Sequence, residues 1–302
     1  RPLRPRGRRD VPGERSLGVP LVIRCAAMRD VHLAPVARGG IPRDTEPVMS
    51  RRALVRAPGP RLHDGLVTHV QRQPVDLDRA HRQWRAYVAA FVSAGWALTE
   101  VEPADDCPDA VFIEDTVVVY GDLAVICRPG ALSRRAETAA VEVAVREQGY
   151  RVAHIEAPGT LDGGDVLKWG GQVWVGRGGR TNAAGIEQLA GHLEEFGVST
   201  VAVTTTKVLH LKSAVSALPD GTVLGYPPNV DDPSIYPKFL AVPEEAGAHV
   251  VLLDEDRVLM AANAPRTAAI LRERGLHVVS VDISEFEKLE GCVTCLSVRL
   301  RA

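Results

Sequence analysis

No apolar run in the sequence approaches the roughly 20 residues that a membrane-spanning helix requires, and no succession of charged, apolar and small residues reads as a secretory leader. Neither a membrane partner nor export is expected. Cysteine is scarce: Cys25, Cys107, Cys127, Cys292 and Cys295 are odd in number and irregularly spaced. That argues against a disulfide framework and for a reducing compartment, by default the cytoplasm. A dominant charge sign is lacking too. Lys and Arg number 36 against 38 Asp and Glu, so there is no basic stripe of the kind nucleic acid demands. What is present is ordinary apolar content over 302 residues, enough for one large domain or two small ones with a real core.

Residues 1 to 48 differ from the rest. They are rich in Arg, Pro and Gly and carry no apolar period beyond the short "LVIRCAA", a composition expected to stay disordered. Met49, just before the strand-like "ALVRAP", is the expected natural start, and residues 49 to 302 are expected to form one domain.

From residue 81 onward one pattern recurs: a helical stretch, a stop glycine, then a short alternating strand. Copies surround Gly95, Gly149, Gly197 and Gly275, with a fainter one at Gly247 in "VPEEAGAHVVLL". Glycine after a helix is the usual left-handed stop. Hairpins are expected between the copies, at Gly121-Asp122, Gly170-Gly171 and Asp220-Gly221. The unit is therefore ββαβ, used about five times, and a period near 50 residues implies modules around an axis rather than a doubly wound sheet.

Such an arrangement turns equivalent loops toward one centre, and those loops hold the reactive side chains. Asp109, Asp162 and His210 lie 14, 13 and 13 positions beyond Gly95, Gly149 and Gly197, and Cys295 lies 20 beyond Gly275. Two carboxylates, an imidazole and a thiol at one mouth are the parts of a thiol nucleophile with its proton carrier and an orienting acid.

Six ordered motifs, "PDAVFIEDT", "RPGALSRRAET", "APGTLDGGDV", "GRGGRTNAAG", "KVLHLKSAV" and "GCVTCLS", resemble the dimethylargininases of the guanidino-modifying, or pentein, superfamily over about residues 50 to 302. The resemblance implies an α/β fold, a five-bladed pseudosymmetric propeller of ββαβ modules. It also implies hydrolysis of asymmetric dimethylarginine and monomethylarginine to citrulline and a methylamine through a covalent S-alkylthiouronium on cysteine. On the matching positions it places the nucleophile at Cys295, the proton carrier at His210 and the orienting carboxylate at Asp162, where bacterial relatives often have Glu. Asp109, Glu114 and Asp115 match the guanidinium-binding acids. Arg134, Arg180, the backbone carbonyl of Leu289 and an early mobile loop around Leu66 match the groups that hold the amino-acid end. No cofactor or metal is implied. The expected partner is a small-molecule substrate, and a homodimer is compatible with the reading.

The chemistry requires these residue types. A guanidinium stays protonated at any working pH, so its pocket must supply carboxylates. Arginine forks fit a carboxylate bidentately where lysine offers a point charge. A neutral thiol must be drawn to thiolate by nearby positive charge, here His210 or the cationic substrate.

Other features read more plainly. Cys292 is assigned to packing, because "CVTC" has no second pair and no His at zinc-finger spacing and follows a charged loop rather than opening a helix. Cys107 and Cys127 are likewise assigned to packing, Cys25 to the tail and His154 to structure. Asp165 reads as a cap in the loop of Asp162. Were Glu114 and Asp115 on a strand, they would face opposite ways. "GRGGRTN" lacks the lysine step of a phosphate loop. The alternative enzyme reading is arginine deiminase, and a further alternative is a non-catalytic pentein that binds a partner through its axis.

Overall fold

The computed structural model describes residues 22–23 and 51–300. Expectations for the remainder of residues 1 to 48, Cys25 among them, fall outside the described residues.

Strand β1 (Val22–Ile23) is an added edge strand; the rest of the fold is five three-stranded sheets built alike. In the second, β4 (Val117–Tyr120) pairs antiparallel with β5 (Leu123–Ile126), helix α2 (Thr138–Glu147) crosses over, and β6 (Arg151–His154) returns parallel to β5. The third repeats this with β7 (Val166–Trp169), β8 (Gln172–Arg177), α3 (Ala183–Leu193) and β9 (Ser199–Thr204), and β1 pairs with β9 at its edge. The fifth uses β13 (Val250–Leu252), β14 (Arg257–Ala261), α4 (Pro265–Glu273) and β15 (His277–Val281). The first sheet joins both ends of the described chain. Here β2 (Arg52–Val55) and β3 (Ala97–Glu100), linked by α1 (Leu77–Ser93), take their antiparallel partner from β16 (Val298–Leu300).

Residues from all five antiparallel strands, β4, β7, β10 (Val215–Ala217), β13 and β16, line one cavity of about 120 Å³. The sheets therefore stand around a common axis, with those strands innermost. Apolar packing follows the same plan: five buried clusters each join two neighbouring modules. The cluster joining the fifth module to the first sets Val251, Leu259 and Val281 against the α1 residues Ala80, Trp84, Tyr87 and Phe91, which recur on one face at helical spacing. The family implied by the motifs has this five-module architecture.

Gly95, Gly149, Gly197 and Gly275 all adopt positive φ after their helical segments, as the stop pattern requires. Two expectations change. Gly247 ends no crossover helix; it lies in the 3₁₀ turn Glu245–Ala248, packed against Thr267. The fourth crossover, between β11 (Val223–Gly225) and β12 (Phe239–Ala241), has no helix and instead uses 3₁₀ turns at Pro227–Asn229 and Pro233–Ile235. Four prolines between Tyr226 and Lys238 remove the donors a helix needs. The β10–β11 hairpin is also longer than the expected two residues: Ala217 pairs with Val223, and Leu218 donates to the Thr222 carbonyl at 2.8 Å. Among the described residues no helix is long and apolar enough to cross a membrane.

Candidate active site

Loops that follow β3, β6, β9 and β15 bring the site residues together. His210 stands at the start of the 3₁₀ turn Leu211–Ser213, after β9, and Asp162 at the start of the turn Gly163–Asp165, after β6. The Asp162 Oδ2 and His210 Nε2 are 3.0 Å apart, while Asp162 Oδ1 accepts the Gly130 amide at 2.9 Å. The other imidazole nitrogen, Nδ1, lies 3.7 Å from Asp115 Oδ1. A Cβ at Gly164 would come within 2.5 Å of Asp115 Oδ1 and 2.6 Å of His210 Nδ1, so only glycine lets that turn pass between the two groups. Asp165 acts as the expected cap beneath them, accepting from Leu211 N at 2.9 Å and the Thr181 hydroxyl at 2.6 Å.

Burial pushes the His210 pKa down, but Asp115, the hydrogen bond to Asp162 and the charge of Asp165 outweigh it and hold the value at about 9. His210 is thus an imidazolium at neutral pH. Burial favours the neutral form of Asp115 as well, yet His210, Arg134 and the Gly164 amide bring its pKa to about 2. Asp115, Asp162 and His210 are also the one group of side chains among the described residues close enough together to hold a metal ion. Their atoms are engaged by one another and by Gly130, Gly164 and Arg134.

Cys295 closes the tight turn that begins at Cys292, its amide donating to the Cys292 carbonyl at 3.1 Å. Tyr87 on α1 anchors this turn by donating to Val293 O at 2.8 Å. Cys292 is buried, as packing requires, but it does more than fill space: its sulfur lies 3.3 Å from that of Cys295, and its amide donates to the Cys295 sulfur at 3.4 Å. The neighbouring sulfur, burial and the carboxylates Glu114 and Asp115 push the Cys295 pKa up. These neighbours favour the neutral thiol over the thiolate.

Cys295, His210, Asp109, Asp115, Arg134, Arg180, Leu66 and Leu289 share one pocket. Asp162 stands behind His210, and Glu114 is turned away. Both Glu114 and Asp115 lie in the 3₁₀ turn Ile113–Thr116 rather than on a strand, where three residues complete a turn and neighbours diverge. The Glu114 carboxylate meets Lys212 at 2.7 Å and lines the axial cavity rather than the pocket that holds Cys295. Arg134 lines the pocket with its own partners in place. Its guanidinium is held by Asp115 at 2.6 Å, Glu137 at 2.8 Å and the Phe112 carbonyl at 3.1 Å, which leaves it a brace for the acidic wall. Glu137 and Lys212, the partners of these two residues, were not singled out from the sequence, although both stand within the quoted motifs. Arg180 is different: its Nη1 is buried without a hydrogen-bond partner, 3.9 Å from Asp162.

No protein-family model matches the chain. The N(G),N(G)-dimethylarginine dimethylaminohydrolase of Streptomyces coelicolor is 63% identical over 252 residues, covering 83% of this chain and 98% of the relative. The chain belongs to the dimethylarginine dimethylaminohydrolase family. The enzyme of the same name from Pseudomonas aeruginosa is 36% identical and covered over its full length. Two solved structures of this family superpose with TM-scores of 0.78 at 35% identity, each covering 83% of this chain and all of the other. One is a histidine-to-glycine variant as its adduct with S-methyl-L-thiocitrulline; the other is a cysteine-to-serine variant of the Pseudomonas aeruginosa enzyme complexed with citrulline.

Proposed function

We propose that this dimethylarginine dimethylaminohydrolase family member hydrolyses asymmetric dimethylarginine and monomethylarginine to citrulline, releasing dimethylamine or methylamine. The observation that carries this reading is the polarity of one buried pocket. Asp109 and Asp115 offer negative charge beside Cys295 and His210, and Arg180 brings an unpartnered guanidinium nitrogen. A substrate with a cation at one end and a carboxylate at the other satisfies both.

In this reading Asp109 and Asp115 receive the guanidinium, and its charge offsets the carboxylates that keep Cys295 protonated. As the substrate binds, the Cys295 proton passes to solvent, since His210 is already protonated, and the thiolate attacks the guanidinium carbon. His210, already an imidazolium, gives its proton to the departing amine from Nδ1, the nitrogen turned toward Asp115, while Asp162 fixes the ring through Nε2. The bond from carbon to the amine breaks and the S-alkylthiouronium remains. The neutral imidazole then takes a proton from water, the hydroxide adds to the same carbon, and the thiolate leaves as citrulline forms. Arg180 clamps the substrate carboxylate, and Arg134 works through Asp115.

The test is to incubate the purified protein with asymmetric dimethylarginine, monomethylarginine and arginine and measure citrulline in each. Release from the methylated substrates at far higher kcat/KM than from arginine supports the reading. Equal kcat/KM on arginine and dimethylarginine assigns the chain to arginine deiminase chemistry.

A further inference from the structure

The connection between Gly65 and the start of α1 is exposed over residues 68–74, and its Leu66 forms part of the pocket wall. The pocket encloses only about 20 Å³, room for about one water molecule. A space so small makes the position of its wall a determinant of how well an amino-acid substrate fits. The exposed segment is the wall's least embedded part, so what holds it down bears on catalysis.

The structure gives one buried group that role. The Glu290 carboxylate, with its side chain 5% exposed, accepts the backbone amides of Thr68 at 2.9 Å, of His69, and of Val70 at 3.0 Å, together with the Thr68 hydroxyl at 2.8 Å. Three successive amides converging on one carboxylate form a charge-assisted cradle. Glu290 also separates two spaces, lining both the small pocket and an adjoining cavity of about 470 Å³. Its backbone adds a second, independent observation. Among the described residues Glu290 is the sole non-glycine residue at positive φ, +62°, a conformation glycine adopts freely and a glutamate only under strain. Glycine would relax the backbone at this position, and only a side chain of this length with two acceptor oxygens satisfies the segment above it.

We propose that Glu290 is a positioning residue for the reaction, one whose carboxylate clasps the amides of Thr68 to Val70 and so sets how firmly Leu66 and residues 65–70 close over the substrate. Leu66 passes the effect on, because its amide donates to both carboxylate oxygens of Asp109, at 3.0 and 3.2 Å. A loosened segment would therefore also free an acid of the guanidinium wall. The kinetic part of this inference rests on the function proposed above; the clasp itself does not.

The experiment compares the full chain with Glu290→Gln and Glu290→Gly by amide hydrogen exchange over residues 66–72, by thermal unfolding, and by kcat and KM on asymmetric dimethylarginine. Glutamine keeps the shape but sets an NH₂ group against amide donors; glycine removes the clasp and relieves φ. Expected are at least tenfold faster exchange at residues 68–70 in both variants and at least a tenfold rise in KM with kcat changed less than threefold. The Glu290→Gly melting temperature should be unchanged or higher, an outcome that loss of a purely structural residue would not give. Unchanged exchange at residues 68–70 in both variants overturns the clasp. A parallel fall of kcat and melting temperature with constant KM overturns the positioning role. Failure of the wild type to release citrulline counts against the proposed function alone, since the exchange measurement needs no substrate.

Discussion

Replacing His210 by Gln should flatten the pH dependence of stability between pH 6.5 and 9. In the native protein the imidazole is fully buried among carboxylates and its pKa rises from 6.5 to about 9. A group whose pKa is higher in the folded state binds its proton more tightly there. Its stabilisation is complete below pH 6.5, where both states are protonated, and is lost as pH climbs through the folded value of about 9. At about 1.4 kcal/mol per pH unit, the displacement corresponds to about 3 kcal/mol, a large share of the roughly 5–15 kcal/mol that a domain possesses. Equilibrium denaturation in urea at pH 6, 7.5 and 9.5 gives the stability of each protein. The difference between wild type and His210→Gln isolates the imidazole from every other titrating group. That difference should shrink or reverse by about 3 kcal/mol from pH 6 to 9.5. Parallel curves would show that His210 is not held as an imidazolium, and the same result would remove it as the proton donor to the amine.

Four further outcomes are expected. Cys295→Ser should abolish citrulline formation with the fold intact by circular dichroism, whereas Cys292→Ser should retain most activity; equal losses would point to a metal or redox pair. Arg180→Ala should raise KM for dimethylarginine by roughly tenfold to a hundredfold, the scale of one charged hydrogen-bonded partner, yet change little for a substrate lacking the α-carboxylate, such as agmatine. Gly164→Ala should lower kcat at least tenfold, because the added methyl meets Asp115 and His210, and unchanged kcat in steady-state assay would mean the turn yields freely. Glu114→Gln should leave KM within about twofold while lowering the melting temperature, since it strands Lys212 in the axial cavity; a large KM effect would return Glu114 to the substrate wall.

Much of this architecture was legible because the chain repeats itself. Gly95, Gly149, Gly197 and Gly275 mark module ends through a backbone requirement that any sequence must meet, and the offsets from those glycines bring Asp109, Asp162 and His210 to one mouth. The fourth module is hidden because its crossover is written in prolines instead of a helical period, and Gly247, the fainter stop signal, lies in a 3₁₀ turn beyond it. Side-chain direction was less legible still. Nothing in "FIEDT" says that the chain coils into a 3₁₀ turn there, so the divergence of Glu114 and Asp115 had to be seen. Arg134 stands in its expected place, but its occupation by Glu137 depends on both being buried together. Contact between the sulfurs of Cys292 and Cys295 is likewise a property of the turn, and the positive φ of Glu290 belongs to a residue type that gives no warning of it.

Strand β16 gives the first sheet its antiparallel member, and its Val298 and Leu300 fill the cluster between the first and second modules. A chain emerging from the ribosome therefore holds β2 and β3 without the partner that completes them until residues 298–300 have been made. Most multi-unit proteins finish their N-terminal portion first; this one cannot. Cys295 emerges only three residues ahead of Val298, so the proposed nucleophile and the strand that shuts the ring arrive together. Chains terminated before Cys295 would lack both, so catalytic activity would report only on chains extended through β16.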